Sequence, residues 1–235
     1  FASSSAQKGR FAMNKLLLTN IGMLATPVGK TAKSGAEQGN IQVLKDAWVL
    51  IEDGVIAQVG TGAAPEVADA KVVDAEGKLV TPGLVDAHTH LIFGGWRQNE
   101  LGMKLHGKAY LEIQNAGGGI QSSTNATRGS TEEELTQKAA KALDEMLSLG
   151  TTTVEAKSGY GLATEHELKA LQVIKNLNER HPMDIVATFM GAHLVPKEYK
   201  QDRKEYIRLV CEEMIPLVAK QGIAKYNDVF CEADT

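Results

Sequence analysis

The sequence predicts an α/β protein in which a small antiparallel β region precedes a parallel sheet covered by helices. Three observations carry this. Short β-like runs separated by Gly-containing turns fill residues 13–80. Beyond Leu79 the rhythm changes to strand, helix, strand, helix. Two of the helical stretches open on capping-box signals and are followed by β-branched or apolar runs, as alternating β and α elements of a parallel sheet require.

Residues 1–12 are Ser-rich and basic and lack the apolar stretch of a secretory signal, so they are read as a leader or a remnant outside the fold. The β region then takes in the apolar run 16–18, a polar, Gly-containing loop at about 29–39, and the runs 47–52 and 55–59. Asp53-Gly54 between those last two runs is a strong hairpin signal. A further run, 71–74, lies between turn signals at 60–64 and at Glu76-Gly77.

The first strand of the parallel series covers 84–87. Ser130 with Glu133 forms a capping box, Leu135, Ala139, Leu143, Met146 and Leu147 form the apolar stripe behind it, and Gly150 stands at the stop. The next strand is 151–156. Thr164 with Glu167 is a second capping box, ahead of the stripe Leu168, Leu171, Ile174 and Leu177 and the strand 185–190. A third helix at about 203–221 leads to a strand at 226–231. No helical pattern follows that fourth strand, and a parallel sheet stopped there would leave an unpaired edge. The series is therefore expected to continue beyond Thr235.

The 235 residues carry 25 Lys and Arg against 29 Asp and Glu, without a long basic block. That balance leaves no electrostatic footprint for nucleic acid or an anionic membrane, and a small molecule is the expected partner. No run approaches the roughly 18 to 20 apolar residues of a membrane span. Cys211 and Cys231 are too few for a disulfide framework and read as free thiols of a reducing, cytoplasmic compartment.

The sharpest local feature is Pro82-Gly83-Leu84-Val85-Asp86-Ala87-His88-Thr89-His90. Side chains at i and i+2 of a strand share a face, so His88 and His90 present two imidazoles to one ion. A bare His-x-His is often just two histidines near a strand end. Here it closes a buried strand, follows a Pro-Gly turn and opens a βα series, which favours a metal. Imidazole suits zinc or iron, and such an ion brings the pKa of bound water down to about 7.

This segment resembles the amidohydrolase superfamily, whose β-sandwich leads into a (β/α)8 TIM-like barrel through a first strand ending in His-x-His. More closely, the chain is similar to the imidazolonepropionases, through Phe93-Gly94-Gly95-Trp96-Arg97, Gly117-Gly118-Gly119-Ile120, Lys157-Ser158-Gly159-Tyr160-Gly161 and Gly191-Ala192-His193. The resemblance implies a β-sandwich over 13–80 and about the first four strands of the barrel over 81–235. It implies hydrolysis of the cyclic amide C–N bond of 4-imidazolone-5-propanoate to N-formimidoyl-L-glutamate, in histidine degradation. It further implies one Zn or Fe ion per site, with His88 and His90 as its first two ligands. Arg97 would grip the propionate by two parallel charge-assisted bonds, which a lysine cannot supply. Tyr160 and His193 would contact the substrate.

Outside the motif, each of these residues has an ordinary reading. Arg97 could be a solvated surface arginine and Tyr160 a loop tyrosine. His193 could be a further ligand, a donor to substrate, or a histidine bonded to a backbone carbonyl. His106, His166 and His181 match no functional position. The glycines at 117–119 lack the Gly-Lys-Ser/Thr ending of a phosphate loop, and are expected to allow close backbone approach or a mobile loop. Glu155, Lys157 and Glu232 receive no role. The family's general base and remaining ligands lie in a His-Ala-Asp-Glu segment and a late Asp, neither of which is present. These residues alone are thus expected to bind metal poorly and catalyse nothing. Homodimerisation is left open. The alternatives are an amidohydrolase acting on another cyclic amide or a deaminated base, and a non-catalytic scaffold.

Overall fold

The computed structural model describes residues 15–29, 31–109, 112–113 and 117–232, so the leader expected at 1–12 lies outside the described residues. The chain divides into two compact units, one up to Gly83 and one from Leu84 onward.

In the first unit, β1 (Lys15–Pro27), β2 (Ile41–Glu52), β3 (Val55–Thr61), β4 (Lys71–Asp74) and β5 (Leu79–Val80) form one five-stranded sheet. The order is β3-β2-β1-β4, with β5 also paired to β1. The Asp53-Gly54 turn joins β2 to β3 with both residues at positive φ, 48° and 78°, the conformation that suits a two-residue hairpin. The sheet is mixed rather than antiparallel, because β4 and β5 run parallel to β1. Residues 62–70 cause this. They leave Thr61, level through Ala47 with Ile21 in the middle of β1, and return to place Lys71 beside Leu16 near its amino end, a crossover that only a parallel pairing needs. Ile21, Leu24, Ala47 and Val49 form the buried cluster of this unit.

In the second unit, β6 (Leu84–Thr89), β7 (Thr151–Lys157), β8 (Asp184–Ala192) and β9 (Tyr226–Val229) pair in chain order, and every pairing is parallel. The connections carry α1 (Asn99–Leu105), α2 (Gly119–Gly129), α3 (Glu132–Ser148), α4 (Thr164–Arg180), and the pair α5 (Arg203–Arg208) and α6 (Ile215–Gln221) joined by a π-helical turn, Leu209–Met214. Leu135, Ala139 and Leu143 of α3 and Leu171, Ile174 and Leu177 of α4 pack in one core with Val154 and Ala156 of β7 and Ile185, Ala187 and Phe189 of β8. Alternation then puts Glu155, Lys157 and Thr188 on the other face of the sheet.

Of the two expected capping boxes, the first is displaced by one residue and the second is absent. Ser130 belongs to α2, whose end it closes by donating its N–H and its hydroxyl to the Ala126 carbonyl. The cap of α3 is therefore Thr131, which accepts from Glu134 N–H at 3.2 Å while the Glu134 carboxylate accepts from Thr131 N–H at 2.8 Å. Thr131→Ala should cost about 1 kcal/mol in denaturant unfolding and Ser130→Ala less. At α4 the N-cap is Ala163, and Thr164 donates instead to Glu213 at 2.5 Å. Glu167 reaches past the cap instead, accepting N–H groups of the turn that leads into the helix.

Candidate functional site

The site is built at the carboxyl ends of β6, β7 and β8. His88, near the end of β6, and His90, just past it, have ring centroids 5.9 Å apart. His88 is exposed and His90 half-buried. His90 Nδ1 lies 3.3 Å from the Ser158 carbonyl, so a proton there leaves Nε2 to bind a ligand. Burial lowers the His90 pKa to about 4, with help from the neighbouring charge of His193, and keeps the ring neutral, the form that coordinates a metal.

His193, just past β8, stacks on His90 at 4.6 Å with the rings 13° from parallel. Its Nδ1 is 2.8 Å from the Gly159 carbonyl. Tyr160 lies 5.2 Å from His90 and 5.3 Å from His193. Four of the five expected site residues, His88, His90, Tyr160 and His193, thus lie around one point. Gly159 is required there. It sits at φ 108°, and a Cβ on it would come within 2.9 Å of the Met190 carbonyl and 3.1 Å of the His193 ring.

The fifth, Arg97, follows Phe93 and Trp96 on the loop after β6. Phe93 lies 6.3 Å from Tyr160 and 5.4 Å from Trp96, and Lys138 of α3 covers both rings at 3.4 and 4.0 Å. Arg97 donates Nε and Nη2, each at 2.7 Å, to the two carboxylate oxygens of Glu100. Glu100 is buried at 6 % exposure and also accepts the Gly119 N–H at 2.6 Å. The Arg97 bonds hold its carboxyl down to about 2. Of the two uses expected for the glycines at 117–119, the structure has close approach: a Cβ on Gly118 would meet Glu100 at 2.9 Å.

Beneath the rings, Lys157 bridges Glu155 and Asp228 at 2.8 Å each, and Thr188 donates to Glu155 at 2.6 Å. Burial disfavours the ammonium, but the bonds to Asp228 and Glu155 outweigh it and raise the Lys157 pKa. Glu155 Oε2 is buried without a partner among the described residues. Glu100, Glu167 and Asp228 were missed from sequence. Only the Arg97/Glu100 spacing of three, a helix-surface pairing, offered a signal.

His106 bonds the Gly102 carbonyl, His166 contacts Glu165 and His181 lies between Asp144 and the Met183 N–H, all local arrangements. Glu232 is exposed. An apolar cavity of about 540 Å³ borders His193, with Tyr206, Val210, Val229 and Phe230 in its wall, and shares no other expected site residue. Among the described residues no group of three or more His, Cys, Asp or Glu could hold a metal ion. Two neutral imidazoles, one anchored through Nδ1, nevertheless suit part of a zinc or iron ligand set.

Residues 71–110 match the amidohydrolase family. An imidazolonepropionase of Brevibacillus brevis is 52% identical over 217 residues, covering 89% of this chain and 51% of its own. One of Geobacillus kaustophilus is 50% identical over 222 residues, covering 92% and 51%. One of Treponema denticola is 53% identical over 188 residues, covering 79% and 46%. The chain spans about half the length of the curated relatives it matches. Among solved structures, E. coli guanine deaminase aligns with a TM-score of 0.56 at 19% identity, over 90% of this chain and 45% of that one. A 5-methylcytosine deaminase from Klebsiella pneumoniae, liganded with 5-fluorocytosine, aligns at 0.54 and 17% identity, over 88% and 42%. At these identities the likeness concerns the fold.

Proposed function

The chain belongs to the imidazolonepropionase family of amidohydrolases, and from that membership we propose that the full-length protein hydrolyses the cyclic amide C–N bond of 4-imidazolone-5-propanoate, giving N-formimidoyl-L-glutamate. The observation that carries the reading is the convergence of His88, His90, Tyr160 and His193 at the carboxyl ends of adjacent parallel strands, where a barrel of this kind holds its active site. The four parallel strands are read as the first half of a (β/α)8 barrel, and the five-stranded sheet as part of a β-sandwich.

In this reading His88 and His90 hold one zinc or iron ion together with residues beyond Thr235. Such an ion supplies Lewis-acid chemistry, activating water near neutral pH and polarising a carbonyl oxygen. Arg97 fixes the propionate arm, so that the ring is presented in one register. With its Nδ1 proton on Gly159, His193 offers Nε2 as an acceptor for a ring N–H, and the Tyr160 phenol completes the ring contacts. The small anionic substrate, the cytoplasmic location and assembly as a homodimer belong to the same proposal.

The test is an assay of the full-length protein for loss of imidazolonepropionate. Turnover should disappear on chelation and return on adding zinc or iron. Its absence with either metal supplied would sink the proposal.

A further inference from the structure

The segment joining β7 to α4, residues 158–163, has no regular secondary structure, yet it carries three contacts on which the site depends. Its Ser158 and Gly159 carbonyls fix the rings of His90 and His193, and its Tyr160 ring packs against both, 5.2 Å from His90 and 5.3 Å from His193. Buried main-chain groups in such a segment need partners from elsewhere.

Two polar side chains provide them from two different helices. From α4, the fully buried carboxylate of Glu167 accepts the N–H groups of Gly159, Gly161 and Leu162 at 2.9, 2.8 and 2.7 Å. From α2, Arg128 donates Nε to the Gly161 carbonyl at 2.7 Å and Nη2 to the Leu162 carbonyl at 3.0 Å, while Nη2 also pairs with Glu198 at 2.7 Å. Leu162 is held at φ 51°, a conformation a buried leucine adopts only under constraint. Lys169 of α4 ties the same two helices by donating to the Ser130 carbonyl at 2.7 Å.

We infer that Glu167 and Arg128 are positioning residues of the proposed reaction, gripping the Tyr160 segment by its N–H groups on one side and its carbonyls on the other, and so setting the orientation of His90, Tyr160 and His193. The inference rests on the reading of the site given above. Neither role passes to a near neighbour. A glutamine offers one acceptor oxygen and turns an NH2 group toward the main-chain donors, and a lysine has no planar fork to span two adjacent carbonyls.

The experiment uses the full-length, metal-loaded protein with Glu167→Gln and Arg128→Lys. Amide exchange at Gly159, Gly161 and Leu162 should accelerate roughly 10-fold or more, with β8 unchanged. The ring 15N signals of His90 and His193 should shift. The kcat/KM for imidazolonepropionate should fall roughly 10- to 100-fold, the range seen when groups that orient ligands are removed. In a Tyr160→Phe background the further loss should be smaller than in the wild type, because residues acting as one unit are not additive. Faster exchange with unmoved histidine signals and unchanged kinetics would reduce the pair to a structural brace and overturn the inference. Should Glu167→Gln fail to fold, Arg128→Lys carries every arm. If the wild type shows no turnover, the reading of the function fails, and the exchange and histidine signals still decide the positioning.

Discussion

His90→Ala in the full-length protein should lose its metal and at least about 10³-fold in turnover, since a Lewis acid contributes several kcal/mol and each 1.36 kcal/mol is tenfold. The effect should exceed that of His88→Ala. His88 is exposed and its ring meets only His90 in the cluster, whereas His90 is half-buried, hydrogen-bonded to Ser158, stacked on His193 and in contact with Tyr160. Removing it empties the centre of the ring cluster and takes away a ligand. Excess zinc should therefore rescue His88→Ala in part and leave His90→Ala inactive. Metal content and turnover read together check this, and a His90→Ala protein within tenfold of the wild type with its metal retained would refute the assignment.

What could be read from sequence follows from what local patterns encode. Period-2 alternation placed His88 and His90 on one face and located all four parallel strands, with ends off by one or two residues. Pairing partners are not written in alternation, so the run that forms β4 is expected in an antiparallel sheet but pairs parallel to β1, and the two-residue β5, also parallel to β1, has no counterpart in the sequence reading. The helix α2 was not visible because its buried face is Ser123, Thr124 and Thr127 rather than an apolar stripe. Thr124 and Thr127 satisfy their hydroxyls on carbonyls four residues back, so this polar face can be buried without a sequence period announcing it. Adjacent Ser130 and Thr131 are both competent caps, and only the preceding helix decides which one caps α3. Glu167 was misread for a related reason. Its spacing from Thr164 fits a capping box, while the N–H groups it satisfies belong to a turn whose shape depends on Gly159 and Gly161.

Arg97→Met should lower kcat/KM by about 10² or more for a substrate bearing a carboxylate, since it removes charge-assisted bonds worth about 1.5 to 3 kcal/mol each. An uncharged cyclic amide should be affected much less. The geometry adds a complication that the motif did not contain. The Arg97 fork already holds Glu100, which in turn holds the start of α2. Arg97→Met alone leaves that buried carboxylate without its cation, a loss of about 3 to 5 kcal/mol of stability. The two roles separate by pH and by a second substitution. Because Arg97 lowers the folded-state pKa of Glu100 from 4.5 to about 2, the pair's stabilisation is fully present above pH 4.5 and is lost as pH falls through the folded value. Wild-type melting temperature should drop across that window, and the drop should shrink in Arg97→Met. Adding Glu100→Gln should restore stability near neutral pH without restoring turnover of the carboxylate substrate. If the double variant regains turnover as well, Arg97 acts on the chemistry only by holding Glu100, and the propionate must be recognised elsewhere. If both substrates lose equally in Arg97→Met yet stability is unchanged, the carboxylate reading fails and an amidohydrolase with a different cyclic amide becomes the better account.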